Sequence, residues 1–390
     1  MNDFYFCSPT KIYFGRDKEN NVGEYIKEHG FKKVLLHYGK QSIFKTGLYD
    51  KIVNSLKKHN IEFVELGGVE ANPDITLVIE GVKLCREEKV DFVLAVGGGS
   101  VIDSGKLIAL GVYYDGNPLD IIRKVDIPNN HIPVGVILTI AAAGSELSAS
   151  CVISDRQIKY KRGVFTELNR PLFVIENPEL TYTLPRYQVG CGIVDILAHT
   201  IERYFNKSSE HEFSDYMAEG LLKSVIDASN ILLEDYYNYD ARSTIMLASS
   251  FSHNNLTNLG KRNLLPIHQL EHEVSALKDD VAHGAGLAVL IPAWMEKVWE
   301  LDRAKFKKFA LNVCNIQEYS TEEELIKKGI DYIRQLFIKL GMPTRLSEFD
   351  ITKDDVEYMA DHLTQNGTFV FPSDIPLVKD LVLEIFYSCL

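Results

Sequence analysis

The stretch "VLAVGGGSVIDSGKL", Val93–Leu107, reads as a buried strand, a turn of three glycines and a helix. Glycines let a backbone approach a ligand closely, and a helix N-terminus offers free N–H groups and a positive dipole end. Ser100 is placed to cap that helix. Open α/β sheets hold phosphates at such turns, at the carboxyl ends of their strands. The bland alternative is a tight turn with no ligand. Two phosphate-loop patterns nearly match and fail. A Walker A loop needs a glycine where Ser100 stands, and Ser or Thr where Leu107 follows Lys106. The dinucleotide G-x-G-x-x-G lacks its third glycine around Gly97 and Gly99.

Outward from this stretch, strand-like and helix-like runs alternate. "KKVLLHYG" (Lys32–Gly39), "IEFVELGG" (Ile61–Gly68) and "DFVLAVGGG" (Asp91–Gly99) read as strands, with helical spacing over Ile43–His59, Asp74–Glu88 and Ser100–Gly111 between and after them. "HIPVGVILT" (His131–Thr139) and "PLFVIENP" (Pro171–Pro178) add further strands. The alternation predicts a parallel sheet covered on both faces by helices. From Pro185 onward the spacing is helical. The expected organisation is therefore an α/β domain over 1–184 and an all-helical domain over 185–390. The N-terminal run "FYFCSPTKIYFG" reads as short strands that cover a sheet edge or pair with a second subunit, and a homodimer is the expected assembly.

Composition narrows the class. The 390 residues are 46% hydrophobic and 25% charged, which fits a soluble globular protein. A formal net charge of −12 with no basic block argues against nucleic acid or an anionic membrane as the partner. Six scattered cysteines with no C-x-x-C pair argue against a disulfide framework and fit a reducing cytoplasm. The N-terminus does not read as a signal peptide, and no apolar run reaches membrane-spanning length.

The helical half carries candidate metal ligands. In "GCGIVDILAHTIERYF", Asp195 and His199 are four apart and share a helix face. His268 and His272 repeat that spacing, and His283 precedes "GAGLA", a helix start. Solvated polar faces are the bland reading of either pair alone. "HEVSA" is not the zincin H-E-x-x-H, because Ala276 replaces the second histidine. Three imidazoles and a carboxylate suit Fe²⁺, Zn²⁺, Co²⁺ or Ni²⁺ better than Mg²⁺ or Ca²⁺. Glu202, one turn beyond His199, reads either as solvated, the favoured reading, or as a group supporting the ligands from behind. His29, His37, His59, His131, His211, His253 and His362 read as lone surface or core histidines.

Taken in order, "GGGSVID", "LTIAAAGSE", "TLP", "GIVDILAH" and "HQLEH…AHGAGLAVLIPAWM" resemble the iron-containing (group III) alcohol dehydrogenases. "YGKQSIFKTGLYD" is similar to the NAD(P)H-dependent butanol dehydrogenase and aldehyde reductase branch. The resemblance runs from about Phe14 to Lys297. It implies a Rossmann-like dinucleotide-binding domain followed by a helical metal domain, the dehydroquinate synthase-like fold. It also implies an oxidoreductase acting on small primary alcohols and aldehydes. The implied metal ligands are Asp195, His199, His268 and His283, with Fe²⁺ ahead of Zn²⁺. Gly98, Gly99 and Ser100 would hold the cofactor phosphates, with Asp103 nearby. Asn72, Thr139, Lys161 and Leu184 match further cofactor-contacting positions. His272 would lie near nicotinamide and substrate, and is the candidate proton relay. Two departures from the family pattern stand out: an added acid in "KDDVAH", and Ser150 where an Asn is expected.

The first strand ends in "HYGKQS", at the end expected to meet the adenosine ribose. It has no acid to accept the ribose hydroxyls and repel a 2′-phosphate. Gly39 allows close approach, Ser42 is polar, and Lys40 offers a charge. NADP(H) is therefore expected over NAD(H). Two rivals stay open: a dehydroquinate-synthase-like lyase or glycerol-type dehydrogenase of the same fold, and a non-catalytic nucleotide- or metal-binding protein. The lyase needs cations for an acidic substrate. Arg203, Arg242, Lys261 and Arg262 are present, but none adjoins a proposed ligand in the sequence.

Overall fold

The computed structural model describes residues 2–158, 160–206, 212–262 and 264–390. His211 lies outside them. The described residues form eight strands: β1 (Lys11–Phe14), β2 (Lys33–Tyr38), β3 (Glu62–Leu66), β4 (Phe92–Gly97), β5 (Val134–Leu138), β6 (Ser150–Asp155), β7 (Tyr160–Phe165) and β8 (Phe173–Glu176). Six make one parallel sheet in the order β1-β8-β5-β4-β2-β3. Every residue of β4 and β5 is buried. This is the burial expected of a parallel sheet with helices on both faces, and it explains their unbroken apolar sequences. One face packs on the helix Leu48–Lys58, whose Ile52 and Leu56 meet a core that includes Leu36, Phe92 and Phe173.

The strand order places a ligand site before any side chain is considered. The chain goes from β2 outward to β3, then returns past β2 to β4, β5 and β8. The order reverses between β2 and β4, which run parallel with Tyr38 beside Val96. Open α/β sheets bind ligands outside the carboxyl ends of the strands at such a reversal. The two ends here are "YGK" and "GGGS".

Three details depart from expectation. The helix expected over Ile43–His59 is two helices, Ser42–Lys45 and Leu48–Lys58, separated by a left-handed Gly47 (φ 72°). The helix after the glycine turn runs Gly99–Gly111 with Gly98 as its N-cap, so Ser100 sits inside the first turn and makes no capping bond. The antiparallel hairpin β6–β7 was not read from the sequence at all. Lys106 is what ties down the chain leading into it. Lys106 is fully buried, and its ammonium donates to the carbonyls of Ser145 (2.6 Å), Ser148 (3.1 Å) and Ser150 (2.9 Å) and to Ser145 Oγ (2.8 Å). The lysine that mimics a Walker A motif thus binds protein carbonyls.

The chain divides into two units, Cys7–Leu184 and Pro185–Leu390, with Met1–Phe6 grouping with the second. The amide of Asn2 donates to the carbonyl of Gly260 at 3.1 Å, which accounts for that grouping. The second unit is helical apart from a bridge between Phe371 and Leu377. Its helix Arg186–Phe205 is buried all round from Gly192 onward, the mark of a central helix. The helix His283–Val298 packs against it so closely that a methyl group added at Gly284 would fall on the carbonyl of Cys191.

Candidate metal centre and dinucleotide crevice

The helix Arg186–Phe205 carries Asp195 and His199, the helix Pro266–Leu277 carries His268 and His272, and His283 opens the next helix. Asp195 Oδ1 lies 3.2 Å from His199 Nδ1, 3.6 Å from His268 Nε2 and 3.9 Å from His283 Nε2. Residues from three helices therefore converge on one carboxylate oxygen. Asp195 Oδ1 and His268 Nε2 are buried and have no hydrogen-bond partner. Buried polar atoms are normally satisfied, so a pair of unsatisfied ones facing each other calls for an explanation. A divalent cation supplies it, and the donor set of three imidazoles and one carboxylate fits such an ion. The extra residue in "KDDVAH" is taken up in an exposed turn, where the Val281 N–H donates to the Lys278 carbonyl, and His283 still starts its helix.

Two carboxylates stand behind the histidines, of which the sequence reading missed Glu271. Glu202, for which the sequence favours solvation over a place behind the ligands, is buried. It accepts from His268 Nδ1 and from the backbone N–H groups of Ile267 (2.5 Å) and His268 (3.3 Å). Glu271 is also buried and bonds to His283 Nδ1. In both histidines the Nδ1 proton is thereby fixed, and Nε2 is left to face Asp195 with a lone pair for a metal. Spacing was the available signal. Asp195, His199 and Glu202 lie at i, i+4 and i+7 on one helix face.

Burial alone would raise the Asp195 carboxyl, but the surrounding imidazoles hold it well below the usual range. Burial alone would lower His268. Glu202 and Asp195 outweigh it and bring His268 to about 9. Burial and the neighbouring His268 push His199 down to about 3. The site as a whole attracts positive charge.

His253, read as a lone histidine, packs on the His199 ring with centroids 4.1 Å apart. Arg203 links them: its guanidinium donates to the carbonyls of His199 and Ser252, both at 3.0 Å, and to His253 Nδ1 at 2.8 Å. Arg203 thus does adjoin a proposed ligand, one helical turn along. His272 is buried beside the cluster, its ring 5.8 Å from that of His283.

In the α/β unit, Gly98 accepts from the N–H groups of Val101 (3.0 Å) and Ile102 (3.1 Å), which leaves the Gly99 and Ser100 N–H groups at the open end of the helix. The Thr139 N–H donates to Gly97 at 3.0 Å, bringing Thr139 to the turn. A methyl group on Gly99 would lie 3.2 Å from Ala143. Asn72 and Lys161 also meet, with Lys161 Nζ donating to Asn72 Oδ1 at 3.0 Å. The Asp103 carboxylate accepts from Ser145 Oγ (2.5 Å) and the Val152 N–H (2.9 Å), so it braces the hairpin. The Ser150 hydroxyl pairs with Ser148 at 2.8 Å. The Leu184 N–H donates to Thr181 at 3.2 Å, at the end of the unit. Ser42 is exposed. Lys40 does not stand alone: its ammonium lies 2.6 Å from the Glu70 carboxylate.

A sheet reversal bearing a glycine turn, with an Asp–His₃ cluster in the helical unit, defines a metal-dependent dinucleotide enzyme. The family comparisons agree. The iron-containing alcohol dehydrogenase model matches residues 9–178, and the C-terminal model of the Fe-containing alcohol dehydrogenase family matches residues 191–390. NADH-dependent butanol dehydrogenase A of Clostridium acetobutylicum is 41% identical over 99% of both chains. The NADPH-dependent aldehyde reductase YqhD of Escherichia coli is 35% identical, again over 99% of both. The crystal structure of NADH-dependent butanol dehydrogenase A from Thermotoga maritima superposes with a TM-score of 0.94 at 36% identity, covering 100% of this chain and 99% of that one. The chain belongs to the iron-containing alcohol dehydrogenase family and is an oxidoreductase.

Proposed function

We propose that the enzyme interconverts small primary aldehydes and alcohols of the butanal–butanol type, with a nicotinamide dinucleotide and one divalent metal, Fe²⁺ ahead of Zn²⁺. The observation that carries this reading is the convergence of His199, His268 and His283 on Asp195 Oδ1, with buried Glu202 and Glu271 behind two of them. When bound, the metal supplies Lewis acidity toward a carbonyl oxygen and the reduced nicotinamide supplies the hydride.

The chain's own residues do the rest. Asp195, His199, His268 and His283 would hold the ion. Glu202 and Glu271 keep two of the rings in the tautomer a metal needs. The Gly99 and Ser100 N–H groups would take the pyrophosphate. His272 would pass a proton between the substrate oxygen and solvent, a general acid–base role open to an imidazole.

Three of the four cations open to the lyase reading are committed elsewhere, and the fourth, Arg262, is exposed. Arg203 is committed to His199, Ser252 and His253, Lys261 to Asp215 at 2.7 Å, and Arg242 to the Tyr236 carbonyl. Support for a cytosolic homodimer is indirect: β1 sits at an edge of the sheet, where a second copy could pair. No described helix is long and apolar enough to cross a membrane. Butanal with NADH or NADPH, followed by absorbance, and metal analysis of anaerobically purified protein together test the proposal. No oxidation of either cofactor by metal-loaded protein would defeat it. The expectation of NADP(H) rests on Lys40, whose ammonium pairs with the Glu70 carboxylate at 2.6 Å.

A further inference from the structure

The segment after β3 folds back along the end of β2. The Gly68 N–H donates to the Gly39 carbonyl at 2.8 Å, and the Val69 N–H to that of Tyr38 at 3.3 Å. This delivers Glu70 to the carboxyl end of β2, beside the sheet reversal. One Glu70 oxygen lies 2.6 Å from Lys40 Nζ and the other 3.1 Å from Arg156 Nη1. Arg156 is held in place from two further directions. Its Nη2 donates to the Ala71 carbonyl at 3.2 Å, and its backbone N–H to Asp74 Oδ2 at 3.1 Å. Two cations and two carboxylates thus meet here, and their charges cancel. The side chains of Lys40 and Glu70 are 65% and 45% exposed, so a ligand can reach them.

An acid at this end of a dinucleotide sheet accepts the ribose hydroxyls and repels a 2′-phosphate. The sequence supplies lysine at the strand end, and the acid arrives from the next strand's loop. We propose that Glu70 sets the cofactor preference: its carboxylate pairs with Lys40 and Arg156, favours the free ribose diol of NAD(H), and masks a latent 2′-phosphate site. This inference rests on the dinucleotide reading. Attraction to Lys40 and then to Arg156 holds the Glu70 carboxyl below its ordinary range, so it stays ionised at neutral pH.

The test is equilibrium binding of NADH, NADPH, 5′-AMP and 2′,5′-ADP to metal-loaded wild type and Glu70→Gln, by calorimetry. Wild type should bind NADH more tightly than NADPH. Glu70→Gln should tighten NADPH and 2′,5′-ADP by about tenfold, because a phosphate gains one charge-assisted contact on an exposed lysine. NADH and 5′-AMP should move by less than about threefold, as expected for loss of an exposed hydrogen bond. Adding Lys40→Met to Glu70→Gln should cancel the gain. Equal shifts for both nucleotides, or a wild-type preference for the 2′-phosphate, would overturn the assignment of Glu70. Failure of wild type to bind any of the four would instead overturn the dinucleotide reading itself.

Discussion

The metal cluster and the nucleotide crevice are built in opposite ways. At the metal cluster, buried or half-buried side chains from three helices meet, and two of the histidines are braced by buried carboxylates. At the crevice, the candidate groups are backbone N–H groups and a loop carboxylate that remains exposed. A site made of buried side chains has little freedom to repair a deletion, because each lost partner leaves an uncompensated group in low dielectric. A site made of backbone is indifferent to most side-chain changes and vulnerable only to steric intrusion.

His268→Ala is the severest test of this contrast. It should abolish metal binding and lower turnover by about a thousandfold or more, the scale of losing several kcal/mol of electrostatic stabilisation. Dinucleotide affinity should stay within about threefold, since the change lies outside the α/β unit that carries the crevice. Retained stoichiometric metal would remove His268 from the ligands. Gly99→Val should weaken dinucleotide binding by about a hundredfold while metal content is unchanged. The branched side chain would block approach to the turn and press on Ala143. An unchanged affinity in folded protein would make the turn purely structural. Glu202→Gln and Glu271→Gln should each weaken metal binding by about tenfold to a hundredfold, as measured by chelator competition. Equal effects from neutralising the exposed Asp279 or Asp280, in the turn before His283, would show that general charge, not bracing, is responsible. Ser100→Ala should be the mildest, with thermal stability changing by less than about 0.5 kcal/mol, because its side chain caps nothing. A loss of about 1 kcal/mol or more would restore the capping role.

Legibility followed the same division. Asp195 and His199 could be read because helical spacing alone puts them on one face, and the central strands β4 and β5 could be read because they are unbroken apolar runs. Glu202 was legible only as one of two alternatives and Glu271 not at all, since a helix carboxylate has the same sequence signature whether it faces water or a buried imidazole. The β6–β7 hairpin escaped because its described turn residues, Arg156–Ile158, include none of the glycine, proline or asparagine that usually marks a hairpin. Lys106 makes a related point: a motif fixes spacing along the chain, and burial decides what the side chain reaches. Glu70 is the extreme case, since its partner Lys40 belongs to a different strand end and only the fold brings the two together.

Gly284 has a consequence for how this enzyme can vary. Because its helix touches the main chain at Cys191, the spacing between the helices bearing Asp195 and His283 is gauged by two backbones. Selection from a library randomised at position 284 should therefore return glycine almost alone, while the exposed turn at Asp279 and Asp280 tolerates wide variation. Substrate range could drift by exchange of pocket residues without disturbing that gauge, which gives one metal scaffold room to serve many alcohols.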